Sequence, residues 1–343
     1  MIASVDPDAD SLAQYLRAQL PKLKGGVRLQ RIGSGQSNPT YSVTCANGPD
    51  LILRKQPPGP MLESAHAVDR EYRILKSLHP IGIPVPEVIL FCEDREVIGT
   101  PFYLMRKLHG RVLSNYALPG IAPRERRRYL FELAERLAQL HAVDWAAAGL
   151  TGYGKPGGFF ARQIGRWTRQ WKAVEATADV STQRLMEPLL EWLPAHIPAD
   201  DETTIAHGDY RLGNVMFHPT EPKIIGILDW ELSTLGNPLA DAAYSSLPWL
   251  TDPDVFEGLR GLDLATLQIP TQDEYLAAYR GASGRDGILP FHHVFALFRF
   301  AVILEGIRGR ASAGNAVGED AAAVANLASR FAGYAVQLIK TEG

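Results

Sequence analysis

Apolar positions along the chain change their period near residue 110. Before that point short runs have the composition and rhythm of strands: Val27–Ile32, Tyr41–Cys45, Leu51–Lys55, Glu87–Cys92 and Pro101–Met105. Two helical patterns interrupt them. Leu12, Leu16 and Leu20 share a face of Asp10–Leu20, with Ser11 as the expected cap; Ala67, Ile74, Leu75 and Leu78 share one of Glu63–Leu78, with Arg70, Glu71 and Lys76 placed elsewhere. After Gly110 the helical period dominates: Pro123–Val143, Phe159–Ala178, Thr182–Leu193, Asp273–Ala282, Pro290–Arg308 and Asp320–Ile339. One β-prone island breaks this half. Thr203–Ala206 leads into the polar loop His207–Asn214, and Val215-Met216-Phe217 turns through His218–Pro222 into Lys223–Leu228, a predicted hairpin.

Composition narrows the class. The 343 residues are 46% hydrophobic and 21% charged, enough for two lobes with a core each. A net charge of -3 gives no basic excess for a nucleic-acid partner. Two cysteines, Cys45 and Cys92, are too few for a disulfide framework and fit a reducing compartment. Met1–Asp10 carries acids and no signal-like apolar core, and no stretch is read as approaching the ~20 apolar residues of a membrane span. The expectation is a cytoplasmic protein with no membrane partner.

The chemistry gathers at the hairpin. Its return strand delivers Asp229 to the open end that carries Asn214, and Asp209 stands five residues before Asn214. Hard oxygen donors such as Asn214 and Asp229 suit Mg²⁺, which leaves Asp209 to accept a hydroxyl proton. Upstream, Gly33-Ser34-Gly35-Gln36-Ser37-Asn38 joins two strands; it is either an ordinary hairpin or a backbone cradle for phosphates.

His207-Gly208-Asp209, Asn214 and Asp229-Trp230-Glu231 together resemble the aminoglycoside phosphotransferase/choline kinase superfamily, distant relatives of protein kinases. The resemblance runs from about Leu29 to Gly333. It implies an α+β, bilobal protein-kinase-like fold, with a small β-rich N-lobe over 1–105 and a larger α-helical C-lobe over 106–343. It implies ATP and Mg²⁺ as cofactors: Gly33, Ser34, Gly35, Gln36, Ser37 and Asn38 over the phosphates, Asn214 and Asp229 as metal ligands, and Asp209 as catalytic base. Glu71 would pair with a basic residue of Leu51-Ile52-Leu53-Arg54-Lys55. Strand alternation favours Arg54 over Lys55, because Arg54 then shares a face with Ile52 while Leu51 and Leu53 point into the core. Phe102–Lys107 would be the hinge, with Met105 lining the adenine pocket and Lys107 in its backbone. Asp241 would brace the catalytic loop. Glu231 is read equally as a capping residue or a group near the metal, and His141 as structural.

Leu-Arg-Lys-Gln-Pro-Pro-Gly-Pro and Asp-Trp-Glu-Leu-Ser-Thr-Leu-Gly-Asn-Pro further resemble the phosphotransferase domains fused to some acyl-CoA dehydrogenases. That implies an ATP-dependent kinase acting on a hydroxyl of a small molecule, a hydroxy acid or hydroxyacyl-CoA rather than an aminoglycoside. The alternative is a catalytically degenerate nucleotide- or acyl-binding module. Phe159–Lys172 carries Arg162, Arg166, Arg169 and Lys172 without an acid, which reads as a solvated face or as an anion-binding one. The sequence leaves the oligomeric state open.

Overall fold

A computed structural model of the chain describes residues 6–21, 24–32, 38–57, 68–312 and 321–341. Contacts divide it into two units. The first holds 1–111 with 146–150 and 216–232; the second holds 112–145, 151–215 and 233–343.

The first unit is built on a five-stranded antiparallel sheet of order β1-β2-β3-β5-β4. Its strands are β1 (Lys24–Ile32), β2 (Thr40–Asn47), β3 (Leu51–Lys55), β4 (Val88–Cys92) and β5 (Phe102–Arg106). Register aligns Tyr41, Leu53, Leu104 and Leu90 as one row across four strands, with Val43 opposite Leu51 beside it. Much of this face buries against α1 (Ala9–Gln19) through Leu12 and Leu16. The cap of α1 is Asp8, whose carboxylate accepts from the Asp10 and Ser11 N–H groups. Ser11, the expected cap, instead donates its hydroxyl to Asp8. Cys45 and Cys92 are buried free thiols.

Beyond the sheet come α2 (Val68–Leu78), the short α3 (Arg95–Ile98) and the two-residue β6 (Arg111–Val112). A sequence boundary near 105 puts Asp229 in the larger lobe, but by contact 216–232 belongs to the first unit. Two bonds explain this: the Ile227 N–H donates to the Pro84 carbonyl at 2.6 Å, and Asp229 pairs with Arg54 on β3.

The second unit is mainly helical: α4 (Pro123–His141), α5 (Phe159–Val174), α6 (Val180–Ala195), α7 (Pro238–Ser245), α8 (Leu264–Leu267), α9 (Gln272–Ser283), α10 (Pro290–Ser312) and α11 (Ala321–Thr341). Strand β7 (Thr204–Ala206) of this unit, and the hairpin strands β8 (Val215–Phe217) and β9 (Ile224–Ile227), which fall almost wholly in the first unit, appear where the β-prone island predicts them. Here β7 pairs antiparallel with β10 (Thr234–Gly236). Trp171, Phe295, Phe298, Val302 and Phe331 centre the large core. Contrary to the expectation of no membrane-length segment, Pro290–Gly309 is long and apolar enough to cross a bilayer. Its most apolar window is 61% buried inside the protein. The helix is apolar on most sides because α5, α6, α7 and α11 all pack on it.

Candidate active site

On the sheet face opposite α1, alternation gathers a polar set. Arg54 lies opposite Tyr103 and Ile52 opposite Met105, so these four side chains share one face. Arg54 Nε stands 3.2 Å from Glu71 Oε2 on α2. The approach is close but poorly aligned, and Nε–H makes no hydrogen bond; the attraction is an ion pair more than a directed bond. Glu71 is 2% exposed. Its oxygens accept from Asn38 Nδ2 at 2.5 Å and from the Tyr103 hydroxyl at 2.9 Å. Burial pushes the Glu71 carboxyl up, while the Arg54 charge and those two donors pull against it. The periodicity reading sets Glu71 off the apolar face, yet Ile74 and Leu75 follow at three and four residues, and all three are buried together.

Lys55 takes the other face, beside Leu51 and Leu53, and is 3% exposed. Burial there pushes its pKa down, with Asp6 acting the other way. The role left open between the two cations thus falls geometrically to Arg54. Its guanidinium also reaches Asp229 Oδ1 at 3.4 Å. Asp229 adopts φ +62°, a left-handed conformation that Asp tolerates better than most residues, and its side chain is 38% exposed. Such local strain is often found at functional positions.

Lys107, at the end of the expected hinge segment, makes contacts within the first unit. Its backbone N–H donates to the Asp50 carbonyl at 3.0 Å, and Arg106 N–H likewise to Glu87. These two backbone donors are thus spent on residues that flank β3 and β4. The Lys107 ammonium turns to Ser42 Oγ at 3.1 Å. Gly33, Ser34, Gly35, Gln36 and Ser37 lie outside the described residues.

In the second unit the loop after β7 carries Asp209. Gly208 adopts φ +82°, which glycine permits without a Cβ clash. Asp241, near the start of α7, accepts from the His207 N–H at 2.6 Å and the Gly208 N–H at 2.9 Å, the bracing expected of it. Burial pushes the Asp241 carboxyl up; the His141 contact at 3.5 Å and the loop N–H groups outweigh it, leaving the net shift downward. His141 is fully buried, held toward its neutral form by desolvation, and its Nδ1 meets the Tyr279 hydroxyl at 2.8 Å. This is the structural role its position predicts.

The Asp209 carboxylate is held from three sides. Asn214 Nδ2 donates to Oδ2 at 2.7 Å and also to the Asp209 carbonyl at 2.9 Å. The Tyr244 hydroxyl donates to Oδ1. Arg211 Nε stands 3.6 Å from the same oxygen, its guanidinium over the Phe256 ring. Because the Asn214 amide nitrogen is committed to Asp209, its Oδ1 is the atom left to face a cation. Asp229 has a second oxygen beyond the one facing Arg54. Both are hard donors of the kind Mg²⁺ takes, so the residues fit the ion.

Tyr244 and Arg299 have no part in the sequence reading, and Tyr103 enters it only within the hinge segment Phe102–Lys107. Tyr244 was within reach of it: it stands one turn after Asp241 on α7, and residues three apart share a helix face. Arg299, whose guanidinium donates to the Gly208 carbonyl, comes from a remote helix, and no local pattern marks it.

Residues 28–290 match the model of the phosphotransferase enzyme family. The chain belongs to this family. It is 40% identical over 339 residues to mouse acyl-CoA dehydrogenase family member 10, covering 97% of the chain but 31% of that protein's length. A Ralstonia eutropha crystal structure, provisionally named an aminoglycoside phosphotransferase, superposes with TM-score 0.88 at 39% identity, covering 98% of this chain and 99% of the other. A spectinomycin phosphotransferase solved with ADP and spectinomycin shares the fold at TM-score 0.64 and 12% identity. This phosphotransferase therefore has the α+β, protein-kinase-like fold that its motifs imply, and its relatives make it a kinase-type protein.

Proposed function

We propose that this phosphotransferase moves the γ-phosphoryl group of ATP to a hydroxyl of a small molecule, a hydroxy acid or hydroxyacyl-CoA. The observation that carries the reading is the Asp209 carboxylate, fixed by Asn214 and Tyr244 on a loop braced by Asp241. A carboxylate held in one orientation can align an acceptor O–H and take its proton as the oxygen attacks phosphorus. Asn214 Oδ1 and an Asp229 oxygen are the proposed Mg²⁺ ligands. Mg²⁺, when bound, supplies charge neutralisation for the triphosphate. Arg54, oriented by Glu71, supplies a fixed cation for phosphate oxygens, and its planar fork can serve where many kinases use lysine. The similarity to an acyl-CoA dehydrogenase family member favours an acyl-type acceptor over an aminoglycoside.

The test is ADP release across a panel of hydroxy acids, hydroxyacyl-CoAs, amino alcohols and sugars, with Mg·ATP affinity measured on the same preparation. Asp209→Asn should keep Mg·ATP affinity and lower kcat by ~10²-fold or more, the usual scale for losing a general base. Turnover preserved within a few-fold would remove Asp209 from that role. Nucleotide binding with no turnover on any acceptor would favour the degenerate binding module.

A further inference from the structure

Two arginines from different helices flank one indole beside the catalytic loop. The Arg166 Cζ on α5 lies 5.2 Å, and the Arg299 Cζ on α10 5.6 Å, from the Trp167 ring centroid. Arg299 is anchored where it stands. It donates to the Gly208 carbonyl, and its Cζ lies 5.7 Å from the ring of Tyr244, the tyrosine that holds Asp209. Among the described residues neither Arg166 nor Arg299 forms an ion pair. Other arginines of this unit do, Arg211 with Asp209 and Arg285 with Glu202. Arg166 is exposed; partial desolvation, and then the neighbouring Arg299 charge, lower its pKa. Two like charges sharing a ring without an acid between them repel each other, and an anion accepting from both would relieve that repulsion.

We propose that Arg166 and Arg299 form an anion-binding subsite for the phosphoryl acceptor, gripping a carboxylate or phosphate on the molecule whose hydroxyl meets Asp209. The inference rests on the kinase reading above and assigns it a specificity element. Location favours the acceptor over the nucleotide: both arginines belong to the unit that holds Asp209, whereas Asn38, Arg54, Glu71, Met105 and Lys107 belong to the other. The basic face of α5 is not uniform in this respect. Arg162 spends its guanidinium on the Lys155 carbonyl and Lys172 pairs with Glu175, whereas Arg166 shares the Trp167 ring with Arg299. The anionic oxygens could be the carboxylate of a free hydroxy acid or the phosphates of a CoA thioester.

Isothermal titration of the full chain with two matched pairs separates these sources. The probes are 3-hydroxybutanoate against 3-hydroxybutanamide, and 3-hydroxybutanoyl-CoA against 3-hydroxybutanoyl-pantetheine. In at least one pair the anionic member should bind about tenfold tighter, and Arg166→Gln should shrink that gap to about twofold or less. A gap in the first pair assigns the carboxylate; a gap in the second assigns the CoA phosphates. No gap in either pair, or a gap that survives Arg166→Gln, overturns the subsite. The kinase reading fails differently, by the absence of acceptor-dependent ADP release while the binding gap stands.

Discussion

Replacing Arg54 with alanine strips the positive partner from Glu71, a carboxylate 2% exposed. Breaking a buried pair typically costs 3–5 kcal/mol, because a charge is left desolvated. Here the Asn38 and Tyr103 hydrogen bonds remain, and the lost contact is poorly aligned, so we expect the lower end, about 3 kcal/mol at pH 8. The cost should depend on pH. Burial already raises the Glu71 pKa above its ordinary 4.5, and losing Arg54 raises it further. A carboxyl with a raised folded-state pKa stabilises the fold fully below its unfolded value and loses that contribution as pH rises through the folded value. The Arg54→Ala deficit should therefore be largest at neutral and alkaline pH and shrink as pH falls toward 4.5. Urea unfolding of wild type and variant across that range reads it directly. In activity, Arg54→Ala should lose far more kcat/KM than Lys55→Ala, with Arg54→Lys keeping part. A deficit of equal size at both ends of the pH range, or greater damage from Lys55→Ala, would refute the assignment.

Other outcomes follow from the same contacts. Asp229→Ala should abolish most of the Mg²⁺ dependence of ATP binding, read as ATP affinity with the ion and with chelator; retained dependence would remove Asp229 as a ligand. Tyr244→Phe should leave Mg·ATP affinity intact and lower kcat about tenfold or more, since Asp209 loses one of its fixed donors; an unchanged kcat would make that contact incidental. Asp241→Asn should destabilise the protein by about 2 kcal/mol at neutral pH, because an amide cannot accept from both loop N–H groups as well as a carboxylate does. The Asp241 pKa is lowered, so its stabilisation is present above 3.8 and lost as pH falls through the folded value; the wild-type advantage should close over that interval. A pH-independent difference would place the damage elsewhere.

Strand alternation was enough to separate Arg54 from Lys55, because a period of two admits no compromise between faces. Helix periodicity needed more care. Glu71 looked peripheral while the stripe was drawn through apolar residues alone, although a buried acid with partners belongs on that stripe. For Lys107, residue type says nothing about whether its backbone N–H is already spent within the protein, here on the Asp50 carbonyl. Arg299 was invisible because α10 reads as uniformly apolar, and only packing shows which turn meets the catalytic loop. The same apolar run is the membrane-length segment, Pro290–Gly309.

The first unit is not contiguous in sequence, and synthesis must contend with that. Arg54 and Asp229 stand 175 residues apart, and the segment 216–232 completes the unit only after 112–145 and 151–215 of the second unit have been made. A chain emerging from the ribosome can close its antiparallel sheet early, yet Arg54 must wait for one of its two carboxylates. Non-local closure of this kind carries its entropic cost before any contact repays it. A fragment cut after Arg111 would accordingly be an incomplete unit, lacking the hairpin strand that donates to Pro84. The late-arriving hairpin ties completion of the Arg54–Asp229 pair to production of the catalytic loop that immediately precedes it.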